Sequence, residues 1–573
     1  LKILGISAHY HDSAAALVVD GVPVAAVQEE RLSRRKHDAG FPLAAIEHCL
    51  GDLPPDELDA VVFYEKPMLK LERIVVSALR AFPRSWRSFP RAMKSSFGGK
   101  VWVKGLIASH LGVPGAKILF TEHHEAHAAC AYYTAPTRRA AIVTADGVGE
   151  WATFTVGRGV GAKVEVLEEI RWPHSLGMLY STFTAFLGFE VNEDEYKVMG
   201  LAAYGTPRFA DAVRALLGRT ADGGFALDLA AFDYHAGGAR SWSRRFEERF
   251  GPPRAPYDPI DLETEDGRRW ADLAASVQLV LEDEMVAQCR RVHQASGLPD
   301  LCLGGGVALN VRANARILTE AGFERVFVPA APGDAGCALG AALFVDRVHF
   351  GRPDRAIPDH PFWGPAVDGA ELARVAREDG LPVEEHADLV ERVADELAAG
   401  QVVGWMDGAA ELGPRALGGR SILAAPHDPA MRDRLNRKIK FREEFRPFAP
   451  VVPAEVADRW FELPPGGARL GRFMSGVFRV RVPERLGAVT HVDGSARVQV
   501  VDAEMAPRLH ALLHAYGRRT GVPVLINTSF NLAGEPIVTT ALEGYSTFRR
   551  SGLDLLAAPG VLVRKARAEA QAA

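Results

Sequence analysis

"KILGIS" at residues 2–7, "AAALVV" at 14–19 and "VPVAAVQEE" at 22–30 form the stretch whose reading decides the fold. Each is a short apolar run bounded by Gly or polar residues, the pattern of a strand. Asp20-Gly21 between the second and third is a hairpin turn, so those two strands run antiparallel. A similar layout returns as "AAIVTADGVGEWATFTVGRGVGAKVEVLEEI" at 140–170. Both copies place a polar loop after the first strand, with His11 and Asp12 in one and Asp146 and Gly147 in the other. A duplicated strand-loop-strand unit predicts a bilobal α/β domain with a cleft between its halves.

Outward from these copies, residues 175–345 mix helical patterns with Gly-rich turns, as in "RRWADLAASVQLVLEDEMVAQCRRVHQASG". "HFGRPDRAIPDHPFWGPAVDG" at 349–369 then brings four prolines without clear periodicity, and reads as a linker. It separates a first domain, 1–348, from a second, 370–573, which opens with the helix "GAELARVAREDG" and later carries the strands "QVVGWMDG" and "VPVLIN". A chain of 573 residues is too long for one core, and 48% apolar with 24% charged residues is the balance of a globular protein.

No apolar run approaches the roughly 18–20 residues that span a bilayer, and the first segment is broken by His9, His11 and Asp12 where a signal peptide stays apolar. The expected compartment is the cytoplasm. Cys49, Cys130, Cys289, Cys302 and Cys337 are scattered, odd in number and without a CxxC pair, which predicts buried thiols. A formal charge of -5 speaks against nucleic acid as a partner. One region is basic: between Glu72 and Glu122 no acid occurs, while Arg73, Arg80, Arg84, Arg87, Arg91, Lys94, Lys100 and Lys104 alternate with Phe82, Trp86, Phe89, Phe97 and Trp102. Such a segment attracts anions or a membrane surface, or is a helical excursion with packed aromatics and solvated cations.

"TEHHEAHAAC" at 121–130 sets His123 and His127 four apart, so both imidazoles leave one helical face and reach one ion, or are helix surface. Asp146, at a strand end, and Asp334, in the turn "PAAPGDAGCALGAA" before a helix, complete two nitrogens and two oxygens suited to ferrous iron, zinc or manganese. "LCLGGGVALN" at 301–310 is a glycine turn between strand and helix, a phosphate or adenosine loop or merely a tight turn. Neither a Walker A lysine nor a GxGxxG occurs. "ELGPRALGGRSIL" and "NRKIKFREEFRPFAPVV" gather Arg415, Arg420, Lys440, Arg442 and Arg446; "DGSARVQVV" adds Arg497, and "INTSFNLAGEPIV" adds Asn527, Ser529 and Asn531. Arg forks and a Lys point charge hold phosphates and stabilise charge developing at phosphorus or an acyl carbon.

The motifs "HDSAAALVVDG", "EERLSRRKHD", "EHHEAHAACAY", "DEYKVMGLAAYG", "LGGGVALN", "PGDAGCALGAA", "GPRALGGRSIL", "KFREEFRPFAP", "DGSARVQ" and "LINTSFNLAGEPIV" together resemble the NodU/CmcH carbamoyltransferase family, which includes the tobramycin, cephamycin and novobiocin O-carbamoyltransferases. They run in order from residue 3 to about 555.

The resemblance implies an N-terminal domain of the actin/Hsp70/sugar-kinase (ASKHA) superfamily and a C-terminal α+β domain similar to threonylcarbamoyl-adenylate synthase (YrdC-like). It implies that the second domain makes carbamoyl adenylate from ATP, used with Mg2+, and carbamoyl phosphate. In the first, a hydroxyl of an antibiotic, sugar or lipooligosaccharide precursor takes the carbamoyl group and AMP leaves. By motif, His123, His127, Asp146 and Asp334 would hold the metal, with Fe(II) favoured, and Gly304, Gly305, Gly306, Asn310 and Gly333 the adenylate. Arg415, Arg420, Lys440, Arg446, Arg497, Asn527 and Ser529 would bind carbamoyl phosphate and ATP, with Lys440 and Arg446 catalytic.

His11, beside Asp12, is the candidate base for the acceptor hydroxyl; a strand-end histidine bonded to backbone is the other reading. His9 and Gly419 depart from the family pattern, Gly419 standing where Asn is usual. A threonylcarbamoyl-type tRNA-modifying enzyme and a non-enzymatic actin-like nucleotide-binding regulator are the competing readings. A homodimer is the default assembly.

Overall fold

A computed structural model describes residues 1–87, 89–90, 93–94, 100–238, 240–440 and 446–565. The chain divides into two compact units, Leu1–Val24 with Ala39–Ile357 and Ala25–Asp38 with Pro358–Ala573. The sequence places a boundary somewhere in 349–369 and leaves residues 25–38 with the first domain; the structure assigns them to the second unit. Part of the Pro-rich stretch is also ordered, since Phe362–Ala366 is a strand paired with Ala409–Glu411.

The first unit is built on β1 (Lys2–Ser7), β2 (Ala14–Val19), the first three residues of β3 (Val22–Gln28), β4 (Ala60–Phe63), β5 (Ile118–Phe120), β6 (Arg139–Ala145), β7 (Ala152–Val160), β8 (Lys163–Arg171), the short pair β9 (Leu217–Arg219) and β10 (Phe225–Leu227), β11 (Asp300–Gly304) and β12 (Arg325–Phe327). One sheet has the order β3-β2-β1-β4-β5, the other β12-β11-β6-β7-β8. Read outward from β1 and from β6, the two are the same pattern. An antiparallel hairpin lies on one side of the central strand and two parallel strands on the other. This is one sheet topology used twice, the duplicated α/β lobe that the sequence repeat predicts.

Ile3, Leu4 and Ile6 are all fully buried, so β1 is covered on both faces, and its sequence is an unbroken apolar run for that reason. The helix Asp334–Phe344 lies against it: a Cβ on Gly5 would come within 1.9 Å of the Ala338 carbonyl oxygen. That helix also approaches His123–Tyr133 without side chains between them, since a Cβ on Gly340 would meet the Ala126 oxygen at 2.0 Å. Small residues on both helices thus bring the carrier of Asp334 against the carrier of His123 and His127.

The second unit has an eight-stranded mixed sheet, in the order Val383–Glu385, Val561–Arg564, Leu555–Ala558, Val403–Met406, Arg420–Ala424, Leu525–Ser529, Ala449–Pro453, Gln499–Val501. Helices Leu389–Ala398 and Pro507–Thr520 pack on each other beside it. Residues 25–38 are tied into this unit by Arg34, which donates to the Pro536 and Ile537 carbonyls at 2.8 and 2.7 Å, and by the Thr539 hydroxyl, which donates to the Arg31 carbonyl at 3.0 Å. All five cysteines are buried thiols, none of them in a disulfide. Among the described residues no helix is long and apolar enough to cross a membrane.

Candidate active site

The helix His123–Tyr133 starts at a fixed point. The carboxylate of Glu150 accepts the His123 amide at 3.1 and 3.2 Å and the Lys66 amide at 2.7 Å, and a capping box joins Glu122 to Glu125. One turn apart on this helix, His123 Nε2 and His127 Nε2 stand 3.0 Å from each other. Asp146 Oδ2 lies 3.0 and 3.9 Å from them, and Asp334 Oδ1 3.7 and 3.5 Å. All four side chains are buried.

Burial alone would raise Asp146, yet hydrogen bonds with His123 and His127 hold it well below the usual carboxylate range. Asp334 Oδ2 and His123 Nδ1 are buried without a hydrogen-bond partner among the described residues. Two imidazole nitrogens and two carboxylate oxygens aimed at one point form a donor set that fits a first-row divalent cation. His124 is turned away: its Nδ1 meets Thr144 Oγ1 at 2.6 Å, and burial beside two imidazoles pulls it down to about 3.

The glycine loop after β11 serves the same centre. The Gly306 amide donates to Asp146 Oδ1 at 2.9 Å, and a Cβ on Gly305, whose φ is +88°, would strike the Ala145 oxygen at 2.2 Å. Gly304 abuts the His127 carbonyl, and Gly333 opens the helix of Asp334 with open space where a side chain would project. Asn310 is spent within the protein: its Oδ1 caps the helix Val311–Glu320, and its amide bonds to Gln278. Cys337 escaped the sequence reading. It sits 3.3 Å from His127 Nδ1, one helical turn beyond Asp334, and the only signal was that i+3 spacing.

His11 follows β1 in a loop where His9 and Asp12 adopt φ of +68° and +55°, uncommon for residues with side chains. Its Nδ1 is 3.0 Å from Asp12 Oδ2. Burial lowers its basicity, but the bond to Asp12 and the charges of Asp334, Asp12 and Asp146 outweigh this and bring it up to about 9. His9 is half-buried near the rings of Phe41 and Phe63, at 6.3 and 6.4 Å. Along the basic segment Arg73 is buried, its guanidinium 5.1 Å over the Trp172 ring, while Phe82, Trp86 and Trp102 are exposed. Arg91 and Phe97 lie outside the described residues.

In the second unit Lys440 Nζ donates to the Ser529 carbonyl at 2.5 Å, the Asn531 side-chain oxygen at 2.8 Å and the Asn531 carbonyl at 3.1 Å, with Ser529 Oγ at 3.3 Å. Ser421, which the sequence reading passed over, stands directly opposite Ser529 in the sheet, and its buried hydroxyl has no partner among the described residues. Arg415 is half-buried and makes no ion pair with a described residue; desolvation lowers its guanidinium to about 10. Arg446 and Arg497 are also half-buried, and Arg442 lies outside the described residues.

Two expected ligands have other work. Arg420 is fully buried and donates to the carbonyls of Thr539, Asp407, Gly408, Gly419 and Pro365, which makes it the pin of this loop and not an exposed fork. Asn527 donates to the Ala416 carbonyl and Gln499 Oε1, and Gln499 in turn to the Leu417 carbonyl. Glu411 completes the frame: its Oε1 accepts the amides of Leu417, Gly419 and Arg420 at 2.7, 3.3 and 3.3 Å. A Cβ on Gly419 would meet Glu411 Oε2 at 2.6 Å, so the Glu411 carboxylate fills the space a side chain at 419 would need.

A buried imidazole-carboxylate centre in the first unit, and Lys440, Arg415, Arg446 and Arg497 in the second, lie in stretches that match known families. The model of the carbamoyltransferase N-terminus matches residues 2–343, and that of the carbamoyltransferase C-terminus residues 394–565. The chain belongs to the carbamoyltransferase family. This carbamoyltransferase is 42% identical to an uncharacterized protein of Synechocystis sp. over 98% of this chain and 96% of the relative. It is 36% identical to the nodulation protein NolNO of Sinorhizobium fredii over 97% of this chain and 79% of the relative. Among solved structures, T. kodakarensis HypF aligns with 61% of this chain and 48% of its own, at 17% identity and a TM-score of 0.32. The protein is an enzyme, and the group it moves is a carbamoyl group.

Proposed function

We propose that this carbamoyltransferase makes carbamoyl adenylate in its second unit and passes the carbamoyl group to a hydroxyl of a small-molecule acceptor in its first. Carbamoyl phosphate, ATP and water give carbamoyl adenylate, phosphate and pyrophosphate; the acceptor alcohol then gives its carbamate and AMP. The mixed anhydride keeps the carbonyl activated while adenosine provides a handle for positioning. The observation that best supports this reading is the segregation of charge: Lys440, Arg415, Arg446 and Arg497 are gathered in one unit, the two imidazoles and two carboxylates in the other.

In the second unit Lys440 and Arg446 neutralise phosphate oxygens during transfer, Arg415 and Arg497 hold the anions, and the hydroxyls of Ser421 and Ser529 donate to them. In the first, His11 takes the proton of the acceptor hydroxyl and Asp12 holds the imidazole through Nδ1. A divalent cation held by His123, His127, Asp146 and Asp334, with Fe(II) favoured, supplies Lewis acidity toward the adenylate phosphate. Gly333, with open space where a side chain would project, leaves room for that nucleotide, and Gly304, Gly305 and Gly306 pack their loop closely against the carriers of the metal ligands beside it. ATP, Mg2+ and carbamoyl phosphate are cytoplasmic supplies, and we place the enzyme there. The acceptor class is an antibiotic, sugar or lipooligosaccharide precursor.

The test is incubation of the purified protein with ATP, carbamoyl phosphate and Mg2+, without acceptor, following pyrophosphate and carbamoyl adenylate by mass spectrometry. Adenylate is expected. Its absence from a protein that binds ATP removes the adenylation step from this reading.

A further inference from the structure

The helix Pro507–Thr520 carries His510 and His514 on one face, four residues apart. Their rings approach to 4.7 Å between centroids, and both Nε2 atoms converge on the same oxygen of Glu455, at 2.9 Å from His510 and 2.5 Å from His514. Glu455 belongs to another element, the single turn Ala454–Val456 that follows strand Ala449–Pro453, and the helix packs on that strand. The three ligand atoms lie within 4.8 Å of one another, and none belongs to the candidate active site described above.

We propose that Glu455, His510 and His514 form a second metal site, on the second unit, for a borderline divalent cation of the Zn2+, Ni2+ or Cu2+ class. Two imidazole nitrogens and one carboxylate oxygen are the donors such ions prefer, whereas Mg2+ and Ca2+ seek oxygens alone. The i,i+4 spacing fixes the two nitrogens on the helix, and the turn brings the carboxylate to them. A cation at their meeting point replaces the protons by which both rings share one oxygen. Glu455 is 48% and His514 35% exposed, so water completes the coordination and the ion enters without opening the fold. The site therefore clips the turn to the helix and leaves an open coordination position.

Metal-free full-length protein, titrated with Zn2+ against a chromogenic chelator, is compared with His514→Ala and Glu455→Gln. The wild type is expected to take one equivalent more than His514→Ala, and Glu455→Gln to bind that equivalent more weakly. Co2+ should show d–d absorption attributable to the site that is lost in His514→Ala. Equal stoichiometry and affinity in wild type and His514→Ala overturn the site, and unchanged affinity in Glu455→Gln overturns the three-ligand assignment. His123 and His127 are intact in both variants, so uptake by the buried centre serves as the internal control.

Discussion

His127 meets a carboxylate on each side and a thiol behind, and its protonation decides what the centre can hold. Burial pulls it down, but Cys337, Asp146 and Asp334 hold it well above the ordinary histidine range without a cation. Ligation through Nε2 requires the neutral ring, so cation uptake must expel a proton from His127; it also balances the carboxylate charges that hold His11 up to about 9. Apparent affinity for Fe2+ or Mn2+ is therefore expected to rise about tenfold per pH unit for each proton released, between about pH 6 and pH 8. Calorimetric titration in buffers of different protonation enthalpy counts the protons. A flat pH dependence would rule out this charge state.

At the scale of an element, the loop 411–420 is the decisive piece of the second unit. Its conformation is fixed from within and without: its own Glu411 gathers three of its amides, its own Arg420 pins five carbonyls, and Gly413 is gripped on both sides by residues outside the loop. Arg31 Nη2 donates to the Gly413 carbonyl at 2.5 Å, and the Gly413 amide donates to Gln28 Oε1 at 3.1 Å. Arg415, two residues on, inherits that position. Glu411→Ala orphans three buried amides, at about 1–3 kcal/mol each, and should lower the melting temperature by several degrees. Gln28→Leu removes one acceptor and should raise the KM for carbamoyl phosphate with metal content unchanged. Gln28→Glu, which keeps an oxygen there, should restore it. Equal KM values for wild type and Gln28→Leu would show that the clamp does not position the loop.

At the scale of the molecule, the second unit is discontinuous in sequence, because Ala25–Asp38 belongs with Pro358–Ala573. A fragment of residues 358–573 is expected to melt at lower temperature than the same fragment with 25–38 joined through a flexible linker. Identical thermal unfolding of the two would mean that the segment adds nothing to the unit's stability. The "EERLSRRKHD" motif thereby acquires a structural role that its position in the chain does not suggest.

What could be read from the residues follows the range of the forces involved. The hairpins, the duplicated sheet and the HxxxH face depend on neighbours a few residues away, so periodicity and turn chemistry revealed them. Asp146 and Asp334 were legible because strand ends and helix starts are marked by Gly and Pro. Arg420 was not, since its charge says nothing of the carbonyls it meets, and Asn310 and Asn527 were spent on the same internal framing. Nor was the clamp on Gly413, whose partners are separated by 382 and 385 residues. The sequence by itself determined the elements and the family. Only the tertiary structure decided which charges stay available to a ligand and which hold the backbone, because every buried N–H and C=O must find a partner and long-range packing chooses it.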